Sequence, residues 1–341
     1  MAPSGVEQVL MQADRGQQGM DLEEVNRLVR SDMAAVNSVI QEQLRSGVPT
    51  IPAMGTYLIN AGGKRLRPIV LLLAARMGGD CSPRPIPLAA IVEFIHTATL
   101  LHDDVVDGSE LRRSNATANQ LWGNAAAVLV GDFLYARSFE MMVQDGDMRI
   151  LATMAEATSV ISQGEVAQLE NVNDPDLSHG AYFSVIEAKT AKLFEAAARI
   201  GALVNNLDAA AEKALAQYGS LLGIAFQLMD DALDYSASAE KMGKNRGDDL
   251  ADGKATLPYI HAMQYATAAE QAILREALGG DVSAIFEPVW EIIARTGSID
   301  YTLRVAEEKA DQAIACLSGF PDSVEKEALA FLAAFAVRRD F

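Results

Sequence analysis

Between Leu22 and Leu44 the apolar residues of this chain fall every three or four positions: Leu22, Val25, Leu28, Val29, Met33, Val36, Ile40 and Leu44. That spacing lays one apolar stripe along an α-helix. No segment alternates apolar and polar residues as a half-buried strand does, and no fixed repeat recurs. Half of the 341 residues are hydrophobic and only 11 are proline. A chain of this kind can bury a large core without metals or disulfides, and it favours helices over strands. The expected fold is all-α, a single large helical bundle.

The first helix is expected over 21–45, ended by Gly47 and Pro49. Residues 60–68, NAGGKRLRP, read as a glycine-bearing basic turn, with Pro68 in the first turn of the next helix. Further helices are expected at 68–77, 87–107, 117–143, 147–170, 179–204, 208–236, 257–277, 283–295, 300–316 and 322–338. The stretch 236–256 is long, polar and glycine-bearing, and reads as a mobile loop over a site. Residues 1–20 read as a flexible tail and 21–341 as one domain, because no linker divides the chain.

The 28 basic residues stand against 46 acidic ones, a net charge of −18. That excludes a nucleic-acid binder, which needs a basic footprint. Cys81 and Cys316 lie in no metal-binding spacing and are expected to be reduced thiols of a cytoplasmic protein. Residues 1–20 lack the order of a signal peptide. The longest apolar runs, 68–75 and 125–131, are too short to span a bilayer, so membrane contact is expected to be peripheral at most.

Two segments depart from a bland acidic surface. In LLHDDVVDG, Asp103 and Asp107 are four apart and share a helix face, while Asp104 lies about 100° round the axis. In QLMDDALDY, Asp230, Asp231 and Asp234 repeat the spacing. Carboxylates set this close among apolar neighbours repel unless a cation joins them. An all-oxygen set suits magnesium, which takes a few carboxylates with water and phosphate oxygens. A calcium-binding EF-hand loop fits poorly, because its twelfth position, counted from Asp103, is Ser114.

Basic residues gather near these motifs: Lys64, Arg65 and Arg67 at the glycine turn, then Arg112 and Arg113, Lys189 beside Thr190, and Lys244, Arg246 and Lys254. In so acidic a chain this implies an anionic, phosphate-bearing ligand. His96 lies seven residues before Asp103, on the same helix face.

Taken together, GGKRLRP, HTATLLHDDVVD followed by LRR, GEVAQL, EAKTAKLFEAA, FQLMDDALDY and GKNRGDDLADGKATLP resemble the ordered motifs of the trans-polyprenyl diphosphate synthases. The likeness runs from about residue 22 to the C-terminus and is greatest to the long-chain bacterial members, the octaprenyl to decaprenyl diphosphate synthases. It implies a helical bundle around a central active-site cavity, and a homodimer. The implied reaction condenses isopentenyl diphosphate onto an allylic diphosphate of the farnesyl or geranyl type. The product would be a precursor of the ubiquinone side chain.

By the same resemblance, Lys64, Arg67, His96 and Arg113 hold isopentenyl diphosphate. Arg112, Lys189, Thr190, Gln227, Lys244 and Lys254 hold the allylic diphosphate. Asp103, Asp107 and Asp230 are the main ligands of several magnesium ions, with Asp104, Asp231 and Asp234 in support. The growing chain runs back along the helix of Asp103, past Ala98 and Thr99, where shorter-chain relatives carry aromatic floors. Met142 and Met154 are candidates for a deeper, softer floor. A class I terpene cyclase would lack the GGKRLRP turn and carry a different second metal motif. A non-catalytic subunit of a heteromeric prenyltransferase would have lost some of these acids or bases.

Overall fold

The computed structural model describes residues 20–60, 62–79, 82–112, 115–235, 246–280 and 282–338. In chain order its helices are α1 (Leu22–Leu28), α2 (Arg30–Gln43), α3 (Thr50–Asn60), α4 (Leu66–Met77), α5 (Pro85–Val106), α6 (Ala118–Trp122), α7 (Asn124–Asp145) and α8 (Met148–Glu170). They continue with α9 (His179–Ile186), α10 (Lys192–Val204), α11 (Ala209–Asp234), α12 (Asp248–Ala251), α13 (Leu257–Tyr265), α14 (Ala268–Ala277), α15 (Val282–Arg295), α16 (Ser298–Cys316) and α17 (Val324–Ala336). A π-helical turn, Glu187–Ala191, joins α9 to α10. Among the described residues the one sheet is a small antiparallel hairpin of β1 (Leu111–Arg112) and β2 (Asn115–Ala116). The expected tail lies almost wholly outside the described residues, as do Cys81, Arg113 and Lys244.

The expected helices are present, with local differences. The first divides at Val29, yet Val25, Val29, Val36 and Ile40 still face one core. The helix expected from 117 divides at Gly123, whose φ of 83° belongs to the glycine-favouring region. The helix expected from 257 divides at Ala266, and Thr267 opens α14 with a capping box to Glu270. Helix α3 was not among the expected helices. Its Pro52 falls in the first turn, where a missing N–H costs nothing. Helix α5 is longer than any apolar run considered above, and by length and composition it could cross a membrane. More than half of that apolar window is buried inside the bundle, as in a core helix.

The expectation of a loop over 236–256 needs correction in its second half. Residues 236–245 lie outside the described residues, but 247–254 form an ordered turn and helix with Leu250 fully buried. The Asn173 amide donates to the Gly253 carbonyl at 2.8 Å, and the Gly279 amide donates to the Leu250 carbonyl at 2.9 Å.

Helix α11 organises the bundle, packing along α10 and α16. Its first half, through Leu215, Tyr218, Leu221 and Leu222, belongs to a large apolar cluster with α4, α5, α7, α8 and α10. Its second half, through Ile224 and Leu228, belongs to a smaller cluster with α9 and α13–α15. Small residues allow the close approach. A Cβ on Gly223 would lie 2.5 Å from Ala191 Cα, and one on Gly219 would strike the Phe194 carbonyl. Helix α5 packs on α4 and α7.

Candidate active site

Both aspartate motifs occupy helix C-termini. Asp103 and Asp104 lie in the last turn of α5, which Asp107 caps. Asp230, Asp231 and Asp234 lie in the last turn of α11. Neither last turn contains a basic residue. The carbonyl end of a helix is its negative pole, so these carboxylates add to a potential that already repels them. Exposure divides the six. Asp104, Asp231 and Asp234 are buried, at 1, 1 and 2%. Asp103, Asp107 and Asp230 remain partly open.

The buried acids are held by protein donors. Asp104 Oδ1 accepts from Arg112 Nε at 2.8 Å and pairs with Arg112 Nη2 at 2.7 Å. The Asp231 carboxylate accepts from the Tyr182 hydroxyl on Oδ2 and from Gln227 Nε2, at 2.8 Å, on Oδ1. Gln227 Oε1 in turn accepts from the Thr190 hydroxyl at 2.8 Å. Asp234 Oδ2 accepts from the Asp249 amide at 3.3 Å. Burial raises the carboxyl pKa of Asp104, which Arg112 partly offsets. It raises that of Asp103 too, with Lys189 opposing. Burial, reinforced by the charge of Asp249, pushes Asp231 up to about 7.

The open acids meet two lysines. Lys189 sits in the π turn, with Nζ 3.6 Å from Asp103 and 2.7 Å from Glu165 on α8. Lys254 Nζ lies 3.1 Å from Asp107 and 3.0 Å from Asp252, tying the segment after α12 to the end of α5. Lys189, Thr190, Gln227, Asp231 and Lys254 line one cleft of about 710 Å³. A second cleft, of about 590 Å³, contains His96, Arg65, Asp104 and Arg112. Arg112 therefore shares a cleft with His96 rather than with Lys189 and Lys254.

At the basic turn Gly62, Gly63 and Arg65 all have positive φ, which folds the loop back on α4. Arg67 donates to His96 Nε2 at 3.2 Å. A guanidinium only donates, so this nitrogen accepts and His96 is neutral with its proton on Nδ1. Arg67 also lies over the Phe194 ring at 4.4 Å, and Lys64 over the Phe335 ring at 4.9 Å. Arg65, grouped with Lys64 and Arg67 by sequence, faces Glu93 at 3.8 Å and Asn37 at 3.0 Å.

Of the four residues expected to limit product length, Ala98, Met142 and Met154 are fully covered and Thr99 is partly exposed. Thr99 lies four residues before Asp103 and on its face. Ala98 instead packs into the large apolar cluster.

Sequence reasoning did not single out Glu165, Tyr182, Asp249 or Phe335. Glu165 stands in the GEVAQL motif, the only signal that could have found it. Gly164 beside it lets α8 touch the π turn, since a Cβ there would lie 2.7 Å from Ala188 Cβ.

Among the described residues, no three carboxylate, imidazole or thiol groups converge closely enough to hold an ion unaided. A small hard cation that completes its shell with phosphate oxygens and water needs no such cluster. The open carboxylates of Asp103, Asp107 and Asp230, at two negative helix ends, fit that role.

The polyprenyl synthetase family profile matches residues 48–292. Octaprenyl diphosphate synthase of Escherichia coli K12 is 51% identical over 322 residues, covering 94% of this chain and 100% of its own. A crystal structure of a polyprenyl synthase from Caulobacter crescentus CB15, complexed with calcium and isoprenyl diphosphate, superposes with a TM-score of 0.91. It is 47% identical and covers 95% of this chain and 99% of its own. A decaprenyl diphosphate synthase from Rhodobacter capsulatus gives 0.89 at 42% identity, covering 93 and 98%. With two aspartate-bearing helix ends beside a cleft lined by Lys189 and Lys254, and with these likenesses along nearly its whole length, the chain belongs to the polyprenyl synthetase family.

Proposed function

We infer that this protein is a long-chain trans-polyprenyl diphosphate synthase. It condenses isopentenyl diphosphate onto an allylic diphosphate of farnesyl or geranyl type, giving a product of octaprenyl to decaprenyl length. The ubiquinone side chain is a fitting destination. The observation that carries the reading is the pairing of two carboxylate-bearing helix ends with Lys189 and Lys254 in one cleft.

Asp103, Asp107 and Asp230 are the groups that would hold magnesium. Bound there, the metal supplies Lewis-acid neutralisation of the leaving diphosphate. Lys189 and Lys254 lie where their ammonium groups can turn from Asp103 and Asp107 to a phosphate, with Thr190 and Gln227 beside them. Arg112, held by Asp104, lines the cleft of His96, and its place in the allylic set rests on the resemblance alone. Arg67, Lys64 and neutral His96 bind isopentenyl diphosphate; by resemblance alone, Arg113 joins them and Lys244 joins the allylic set. When the allylic carbon–oxygen bond breaks, Lys189 and Lys254, already turned to the bound allylic diphosphate, stabilise the departing charge. The isopentenyl double bond attacks the allylic cation, and the released diphosphate takes the final proton. The decisive assay is magnesium-dependent diphosphate release from isopentenyl plus farnesyl diphosphate by the purified protein. No release above the metal-free blank refutes the activity.

The protein is further inferred to be a homodimer. Leu129, Phe139 and Val143 on α7 are exposed, as are Met148, Val166 and Leu169 on the neighbouring α8. An apolar face of this breadth on an otherwise acidic chain suits a second copy of itself. Leu129→Glu with Val143→Glu should shift sedimentation velocity from dimer to monomer. A wild-type chain that sediments as a monomer refutes the assignment.

A further inference from the structure

Tyr182 contributes a buried hydroxyl to the site, and no motif reading gave it a role. It is 4% exposed and donates to Asp231, the buried second acid of its motif. Gln227 occupies the other Asp231 oxygen through its amide nitrogen. A carboxylate accepts only, so the Gln227 –NH2 must face Asp231 and its carbonyl must face Thr190. The Thr190 hydroxyl donates to that carbonyl. Every donor in the chain thus points towards Asp231. The second N–H of Gln227 then remains for a ligand in the cleft that Gln227 lines with Lys189 and Lys254. A flipped amide would present its carbonyl oxygen there and repel an anion.

The π turn makes this arrangement reachable. Tyr182 and Thr190 are eight residues apart, which on an unbroken α-helix sets them about 80° apart around the axis. The turn absorbs one extra residue, so they behave as if seven apart, about 20° from alignment. Both then reach the same helix, α11, at positions one turn apart.

We propose that Tyr182 is a positioning residue of the allylic diphosphate pocket: by holding Asp231, it fixes the Gln227 amide with a donor facing the substrate. The inference rests on assigning that pocket to the allylic diphosphate. Tyr182→Phe keeps the ring in its apolar setting and removes only the hydroxyl. It should raise the KM for the allylic diphosphate about tenfold and leave the KM for isopentenyl diphosphate within about twofold, the loss of one hydrogen bond to a charged partner.

Because Tyr182 acts through Gln227, adding Tyr182→Phe to Gln227→Leu should change the allylic KM little further. A simple packing role predicts otherwise: both KM values rise together, or the two substitutions add, and either result overturns the proposal. Lys189→Ala, assayed alongside, separates the two layers. If it leaves the allylic KM unchanged, the pocket assignment fails and the Tyr182 inference with it. If it raises that KM while Tyr182→Phe does not, the Tyr182 inference alone fails.

Discussion

Asp103 and Asp104 are neighbours in sequence with opposite fates in the fold. Asp103 stays partly open beside Lys189, whereas Asp104 is buried against Arg112. Removing an open acid should therefore cost chemistry and leave the fold intact. Asp103→Ala or Asp230→Ala is expected to lower kcat/KM at least about a hundredfold, the scale of a lost electrostatic contact in the transition state. Circular dichroism and the melting transition should stay near wild type, since each substitution relieves repulsion at a negative helix end. Near-normal turnover of either variant with magnesium present would exclude it from the metal set. This division was legible in the sequence, because a helical spacing of four puts Asp103 and Asp107 on one face and Asp104 on another. The partners were not. Glu165 and Tyr182 meet Lys189 and Asp231 across tens of residues of chain, and only packing brings them together.

The elements were readable where apolar periodicity was long and unbroken, as in α5, α8 and α11. They were misread where one residue decides the local path, Val29 between α1 and α2 and Gly123 before α7, and α3, with Pro52 in its first turn, was missed. The π turn carries no local sequence signal, because its extra residue is accommodated by neighbours. Gly164 on one side and Gly223 on the other let α8 and α11 press against it. Gly223→Ala tests that contact. Alanine is the better helix former by roughly 1 kcal/mol. Here its Cβ would meet the Ala191 backbone at 2.5 Å, so α11 must move away from the turn. Denaturant unfolding should show a net loss of about 1–3 kcal/mol, the usual cost of overpacking. Equal or greater stability would mean that the turn yields easily.

At the scale of the molecule, the bundle must admit a chain that grows while its diphosphate stays fixed. Thr99 stands on the Asp103 face and is partly exposed, whereas Ala98 is sealed in the core. Thr99→Phe should therefore shorten the product markedly, read by chromatography of the dephosphorylated alcohols. Ala98→Phe should first disturb packing. Met142→Ala should keep or lengthen the product, because it only enlarges buried apolar space. Full-length product from Thr99→Phe would route the chain elsewhere.

The contact between Lys64 and Phe335 also bears on how the enzyme is made. Helix α17, the last of the described helices, packs on α4 and lays its Phe335 against the basic turn that precedes it. A nascent chain leaving the ribosome thus exposes its first aspartates long before the wall of its basic turn has been translated. A late frameshift that removes α17 should be nearly as damaging as an early one.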